Sequence, residues 1–252
     1  MRYNSTRNHQ LTATPAEAVL HGIAPDGGLY LCDPAALPLD PAEMLQKDFS
    51  GMAEAVLGRL LPDYPPELLR PMIKAAYKKF DSTEVTPLVP VGSYGVLELF
   101  HGPTCAFKDV ALCLLPQLMS RALAGTGRRL MIATATSGDT GKAALEGFRD
   151  VPDIGITVLY PENGVSAVQE RQMTTQRGKN VTVLAVRGNF DDAQRTVKSL
   201  FTDPITKTLA ASGISLTSAN SINIGRLVPQ MVYYFEAYRQ LRAEGKIEPG
   251  ER

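Results

Sequence analysis

From about residue 87 the chain alternates short apolar, β-branched runs with helical stretches, and this alternation constrains the fold more than any other feature. Residues 94–100, 130–135, 154–160, 181–186 and 214–217 read as strands; residues 110–124, 142–149, 167–176 and 193–201 read as helices. Continuous apolar strands separated by helices predict an α/β fold, a parallel sheet with flanking helices. Ligands of such sheets sit in the crevice beyond the carboxyl ends of the strands. Four polar segments fall on that edge, around Lys108, at 137–141, at 188–192 and at 218–226. The periodicity thus predicts one site assembled from four loops.

The first part of the chain has another character. A helix over 15–21 follows Thr14, and two amphipathic helices are predicted over 42–61 and 66–80, the second opened by Pro65-Pro66. Asp26-Gly27-Gly28 marks a turn before Leu29-Tyr30-Leu31. The expected organisation is a mainly helical N-terminal accessory domain, 1–86, followed by an α/β domain, 87–252. Pro116 and Pro229 interrupt helical patterns, so each predicts a kink or a late helix start.

Composition removes several functional classes. Net charge is zero over 252 residues, which argues against a nucleic-acid or membrane-surface partner. No apolar run approaches the roughly 20 residues needed to cross a bilayer. The N-terminus lacks the apolar core of a signal peptide. Three cysteines, Cys32, Cys105 and Cys113, are too few and too irregular for a disulfide framework or a zinc site, so no metal is expected. A cytoplasmic location follows as the default. Cys105 lies three residues before Lys108, but no thiol-enzyme pattern surrounds it, and packing is its expected role.

Lys108 follows the turn Gly102-Pro103 and opens a helical pattern, a junction where a lysine can be held rigidly and desolvated into a nucleophile. The loop Thr136-Ser137-Gly138-Asp139-Thr140-Gly141 joins a strand to a helix, which makes it an anion site at a helix N-terminus. It is not a Walker A loop: two residues separate its glycines where that motif needs four, and Ala143 stands where it needs Ser or Thr. Asn220, Ser221 and Arg226 combine an amide, a hydroxyl and a guanidinium at a helix start, a set suited to phosphate. Read singly, Asn220 or Ser221 is also an ordinary helix cap. Asn189 and Asp191-Asp192 serve equally as a helix cap or as a functional group.

The motif His101-Gly102-Pro103-Thr104-Cys105-Ala106-Phe107-Lys108-Asp109 resembles the pyridoxal-phosphate lysine segment of the threonine synthases. Ala133-Thr134-Ala135-Thr136-Ser137-Gly138-Asp139-Thr140-Gly141 is similar to that family's substrate loop, and Ser218-Ala219-Asn220-Ser221-Ile222-Asn223-Ile224-Gly225-Arg226 to its phosphate segment. Gly188-Asn189-Phe190-Asp191-Asp192, Tyr3-Asn4-Ser5-Thr6 and Ala24-Pro25-Asp26-Gly27-Gly28-Leu29-Tyr30 fit the bacterial form with an N-terminal extension.

The resemblance implies a tryptophan-synthase-β-like fold (type II of the pyridoxal-phosphate enzymes) and conversion of O-phospho-L-homoserine and water to L-threonine and phosphate. It implies that Lys108 holds pyridoxal phosphate covalently and shuttles protons, and that Asp139 lies near the cofactor's phenolic oxygen. Ser137, Gly138 and Thr140 then hold the substrate carboxylate, and Asn220, Ser221 and Arg226 the substrate phosphate. Family members continue with a glycine-rich loop for the cofactor's own phosphate. This sequence ends at Pro249-Gly250-Glu251-Arg252, where the resemblance puts the start of that loop. The expectation is therefore an N-terminal portion with a weak hold on the cofactor, little turnover alone, and self-association through exposed apolar surface. Two alternatives stand beside it: another relative of the fold, such as a threonine dehydratase or cysteine synthase, and a non-catalytic remnant that acts as a binding protein.

Overall fold

The structure, a computed structural model, describes residues 1–33, 35 and 38–248; the terminal Pro249–Arg252 segment discussed above lies outside them. Three strands open the chain: β1 (Tyr3–Ser5), β2 (Thr12–Ala13) and β3 (Tyr30–Leu31), with helix α1 (Pro15–His21) between the last two. Thr14 caps α1 in a capping box with Glu17, and Pro15 occupies its first turn, so local chemistry alone dictates this helix. The strands pair antiparallel in the order β2-β1-β3. The helical reading of this region missed that small sheet.

Helices α2 (Pro41–Met44), α3 (Phe49–Leu60) and α4 (Pro66–Tyr77) follow. The single helix expected over 42–61 is two, because the Asp48 carboxylate accepts the Gly51 N–H and starts α3 afresh. Strands β4 (Leu88–Val91) and β5 (Tyr94–Leu97) form an antiparallel hairpin with Val91 opposite Tyr94. This corrects the expectation that the run ending at Phe100 belongs to the parallel sheet. A two-residue link, Gly92-Ser93, permits only antiparallel pairing, since a parallel partner needs a long crossover. Accordingly Tyr94 is 77% exposed.

Helices α5 (Asp109–Leu112) and α6 (Leu115–Leu123) divide the helix expected over 110–124, and Pro116 sits in the first turn of α6, where its missing N–H is harmless. The remaining elements alternate: β6 (Arg129–Ala135), α7 (Asp139–Phe148), β7 (Ile154–Pro161), α8 (Ala167–Thr174), β8 (Val181–Val186), α9 (Phe190–Thr202), α10 (Ile205–Ala211), β9 (Ile214–Thr217), α11 (Ile224–Leu227) and α12 (Val232–Ala243). Pro229 lies in a 3-10 turn, Val228–Met231, that separates the last two helices.

The strands β8-β7-β6-β9 form one parallel sheet in that order. From β6 the chain builds outward through β7 to β8, then returns to place β9 on the other side of β6. The strand order therefore reverses between β6 and β9, and the crevice outside their carboxyl ends is the topological switch point where ligands of such sheets bind.

One hydrophobic cluster runs from the first helices into the sheet layer, joining Val19, Met52, Leu57, Leu69 and Ile73 to Leu112, Leu115, Ile132, Val158 and Val232. Buried tyrosines stitch it: Tyr64 donates to the Leu118 carbonyl (3.1 Å) and Tyr77 to the Val110 carbonyl (3.1 Å). The second bond braces α5, the helix that Lys108 precedes. On its other side α5 meets α7 at Gly147, where a Cβ would stand 2.2 Å from the Leu112 carbonyl oxygen. Only glycine permits that approach, which packs the C-terminal end of α7 directly on the end of α5. Among the described residues, no helix is long and apolar enough to cross a membrane.

Candidate functional site

Lys108 stands immediately before α5 and directs its amine at the loop after β6, where Nζ lies 2.7 Å from Asp139 Oδ2. The lysine side chain is 17% exposed and the aspartate 47%, so the pair sits at the edge of solvent. Lys108 Nζ also lies 4.3 Å from the centroid of the Phe107 ring, and the Arg226 guanidinium carbon lies 6.0 Å from the same centroid. One aromatic ring thus serves two cations.

The segment ahead of Lys108 is pinned by Asp109, whose carboxylate accepts the Thr104 N–H (2.8 Å) and the Thr104 hydroxyl (2.7 Å). Burial raises the Asp109 carboxyl above the usual carboxylate range, although these hydrogen bonds oppose the shift. His101 clamps the start of the segment, its ring nitrogens 3.0 Å from Asp81 and 2.8 Å from Glu98. Contact with the Glu98 carboxylate, then with Asp81, raises the imidazole above its ordinary value.

The β6–α7 loop is organised by Thr136, a residue the sequence reading left without a role. Its hydroxyl accepts the N–H groups of Gly138 (3.0 Å) and Gly141 (2.9 Å) and donates to the Gly138 carbonyl (3.0 Å). Two of the loop N–H groups expected to bind an anion are therefore occupied from within. Ser137 is exposed, while Gly138 is buried between Thr136 and Asp139.

After β9, Asn223 holds the second loop. Its side-chain amide donates to the carbonyls of Val19 (2.9 Å) and Ser218 (3.1 Å), and its oxygen accepts the Gly225 N–H (2.8 Å). Asn223, and neither Asn220 nor Ser221, is thus the cap of α11, which leaves those two side chains to the open face of the loop. Arg226 is 3% exposed, and its Nε and Nη1 have no hydrogen-bond partner. Burial pushes its guanidinium down to about 10, with the charges of Tyr233, Asp139 and Asp109 opposing. A buried, unpartnered cation is costly and calls for an anion.

A cavity of about 560 Å³ collects these groups. Lys108, Ser137, Thr140, Asn220, Ser221 and Arg226 line it together, as expected; Asp139 joins through its contact with Lys108, and Gly138 lies behind the lining. Correcting the strand before Lys108 does not disperse the site, because α5 and its packing on α7 bring the lysine to the switch point. The segment 188–192 resolves as a cap: Asn189 and Asp192 form a capping box on α9. The cavity also takes in Phe190 of that segment, together with Arg7 and Lys198, which the sequence reading did not single out.

A parallel α/β sheet with a lysine and a buried, unpaired arginine on one cavity at its switch point is a site built for a small anionic molecule. Residues 2–77 match the family model for the threonine synthase N terminus. The threonine synthase of Pseudomonas aeruginosa is 41% identical over 254 residues, covering 96% of this chain and 52% of that protein. The structure of the PLP-bound threonine synthase from Brucella melitensis matches with a TM-score of 0.84 at 42% identity, covering 96% of this chain and 52% of that one. That of the Escherichia coli threonine synthase matches with a TM-score of 0.84 at 36% identity, covering 96% and 54%. Over most of its length the chain is similar to the N-terminal portion of threonine synthases. It spans about half the length of the curated relatives it matches.

Proposed function

We propose that this chain forms the lysine-bearing and substrate-gripping part of a pyridoxal-phosphate-dependent threonine synthase, a lyase that converts O-phospho-L-homoserine and water to L-threonine and phosphate. The observation that carries the reading is Arg226, buried and unpartnered on the same cavity as Lys108. The residues present fit the cofactor at its reactive end: an amine for its aldehyde in Lys108, a neighbouring carboxylate in Asp139, and a cavity within the usual range for small ligands. When bound, pyridoxal phosphate supplies an electron sink that lets protons leave carbon.

The remaining work falls to the chain. Lys108 Nζ moves a proton at the substrate Cα and then at Cβ, and Asp139 holds that amine in place between transfers. Ser137 and Thr140, on the loop that Gly138 turns, receive the substrate carboxylate. Asn220, Ser221 and Arg226 hold the phosphate, which leaves from Cγ, while water adds at Cβ. Holding both anions fixes the reacting carbons against Lys108. Residues 1–86 form an accessory unit whose core braces α5. A cytoplasmic location and self-association complete the reading.

The test separates the two anion sites. Arg226→Ala should raise KM for phosphohomoserine by about one to two decades, since a charge-assisted contact is worth roughly 1.5–3 kcal/mol, while cofactor affinity stays within a factor of a few. Loss of cofactor with an unchanged substrate KM would show that Arg226 serves the wrong phosphate for this reading.

A further inference from the structure

We propose that Arg7 is a second substrate-phosphate ligand, so that the N-terminal sheet forms part of the site; this rests on the threonine synthase reading above. Arg7 lines the cavity with Ile23, Gly27 and Leu29, while Asn220, Ser221 and Arg226 line it from the loop after β9. No acidic side chain is among the described residues of that lining. A phosphate monoester carries about −1.5 to −2 charge at neutral pH, more than one guanidinium neutralises.

The local construction holds Arg7 in place while keeping its charge free. Its Nη1 donates to the Asp26 carbonyl (2.9 Å), a neutral acceptor. The nearby Asp26 carboxylate is engaged elsewhere, accepting the Ser5 hydroxyl (2.7 and 2.9 Å) and the Gly28 N–H (2.9 Å). The carboxyl of Asp26 lies below its ordinary range chiefly through the Gly28 bond and then Ser5, with the charge of Arg7 the smallest contributor. The turn beneath is shaped for the arginine: Gly27 has φ +76°, and a Cβ there would stand 2.9 Å from Arg7 Nη1.

The placement favours the phosphate over the carboxylate. Asn223, which caps α11 after the β9 loop, bonds to Val19 of α1, and a Cβ on Gly22 would meet Asn223 Nδ2 at 3.0 Å and the Ser218 carbonyl at 3.3 Å. The N-terminal segment that carries Ile23 to Leu29 therefore packs on the side of the cavity formed by residues 218–226. Arg7 and Arg226 reach the same anion from an accessible wall and a buried one.

The test titrates O-phospho-L-homoserine and L-homoserine into the protein with pyridoxal phosphate present, comparing it with Arg7→Gln, which keeps a donor for the Asp26 carbonyl and removes the charge, and with Arg226→Ala. Arg7→Gln should weaken phosphohomoserine binding about tenfold or more, leave homoserine binding unchanged and melt at the same temperature; Arg7→Lys should recover part of the loss. Equal weakening of both ligands, or phosphohomoserine binding within twofold of the unsubstituted protein, overturns the assignment while Arg226→Ala still shows its phosphate-specific loss. An Arg226→Ala protein that binds phosphohomoserine normally, or an unsubstituted protein that binds none, sinks the underlying phosphate-site reading, and Arg7 falls with it.

Discussion

Replacing Arg226 by methionine should stabilise the ligand-free protein while removing its response to phosphate. The guanidinium is 3% exposed with two nitrogens unpartnered, and burial pushes it down to about 10. That lies well below the ordinary arginine range, and at about 1.4 kcal/mol per decade, holding the charge in the folded state costs roughly 3 kcal/mol at neutral pH. Methionine keeps most of the side-chain length and removes the charge. It also loses the contact over Phe107, worth about 1 kcal/mol, so the net gain is about 1–3 kcal/mol. For a chain of this size each kcal/mol moves Tm by about 2–4 °C. The assay is a thermal melt in an anion-free buffer, repeated across a phosphate titration. The unsubstituted protein should climb with phosphate, by about 2.7 kcal/mol at a hundred times Kd, and the variant should not. A variant destabilised by more than about 1 kcal/mol in the absence of anions would show that the guanidinium is well satisfied, and the reasoning would fail.

Lys108→Ala should abolish both the visible absorption of bound pyridoxal phosphate and its borohydride fixation; cofactor fixed through another lysine would end that assignment. Thr136→Val keeps the shape of the side chain but strands the Gly138 N–H in a buried loop and leaves the Gly141 N–H only its longer contact with the Gly138 carbonyl (3.2 Å). It should lower unfolding free energy by about 1–3 kcal/mol in urea, the cost of one stranded donor; a loss below about 0.5 kcal/mol would mean that the loop finds other acceptors. His101 has its folded value raised by Glu98 and Asp81, so its stabilisation is complete below its unfolded value near pH 6.5 and is lost as pH climbs through the folded value. The stability gap between the unsubstituted protein and His101→Gln should therefore shrink between pH 5.5 and 8.5, and a constant gap would exclude a charged His101 clamp.

The parallel sheet was legible because its signal is local. Predicted strands at 130–135, 154–160, 181–186 and 214–217 each agree with an observed strand to within a residue at either end. The hairpin at 88–97 misled, since an apolar run looks the same whether it joins a parallel sheet or folds back on its neighbour. The discriminating residues were Gly92 and Ser93, whose turn is too short for any crossover. The break at Asp48 was equally readable in principle, because a capping carboxylate inside an amphipathic pattern competes with continuation of the helix.

The site was legible wherever a strand end delivered the residue to the crevice, as at Ser137, Thr140, Asn220 and Ser221. Arg7 was not, because its position depends on a turn twenty residues away and on Asp26 being occupied by Ser5 and Gly28. Nor could any pattern reveal that Arg226 lacks partners. An arginine in a four-residue helix reads as a solvated side chain, and only the packing of α11 against α1, α5 and α6 buries it. Folding that removes a cation from water without giving it an acceptor lowers the stability of the empty protein. The same folding sets a charge in place in advance, so that little reorganisation would remain for an anionic ligand to bind. The weakest bookkeeping in the core and the strongest functional signal are thus the same residue.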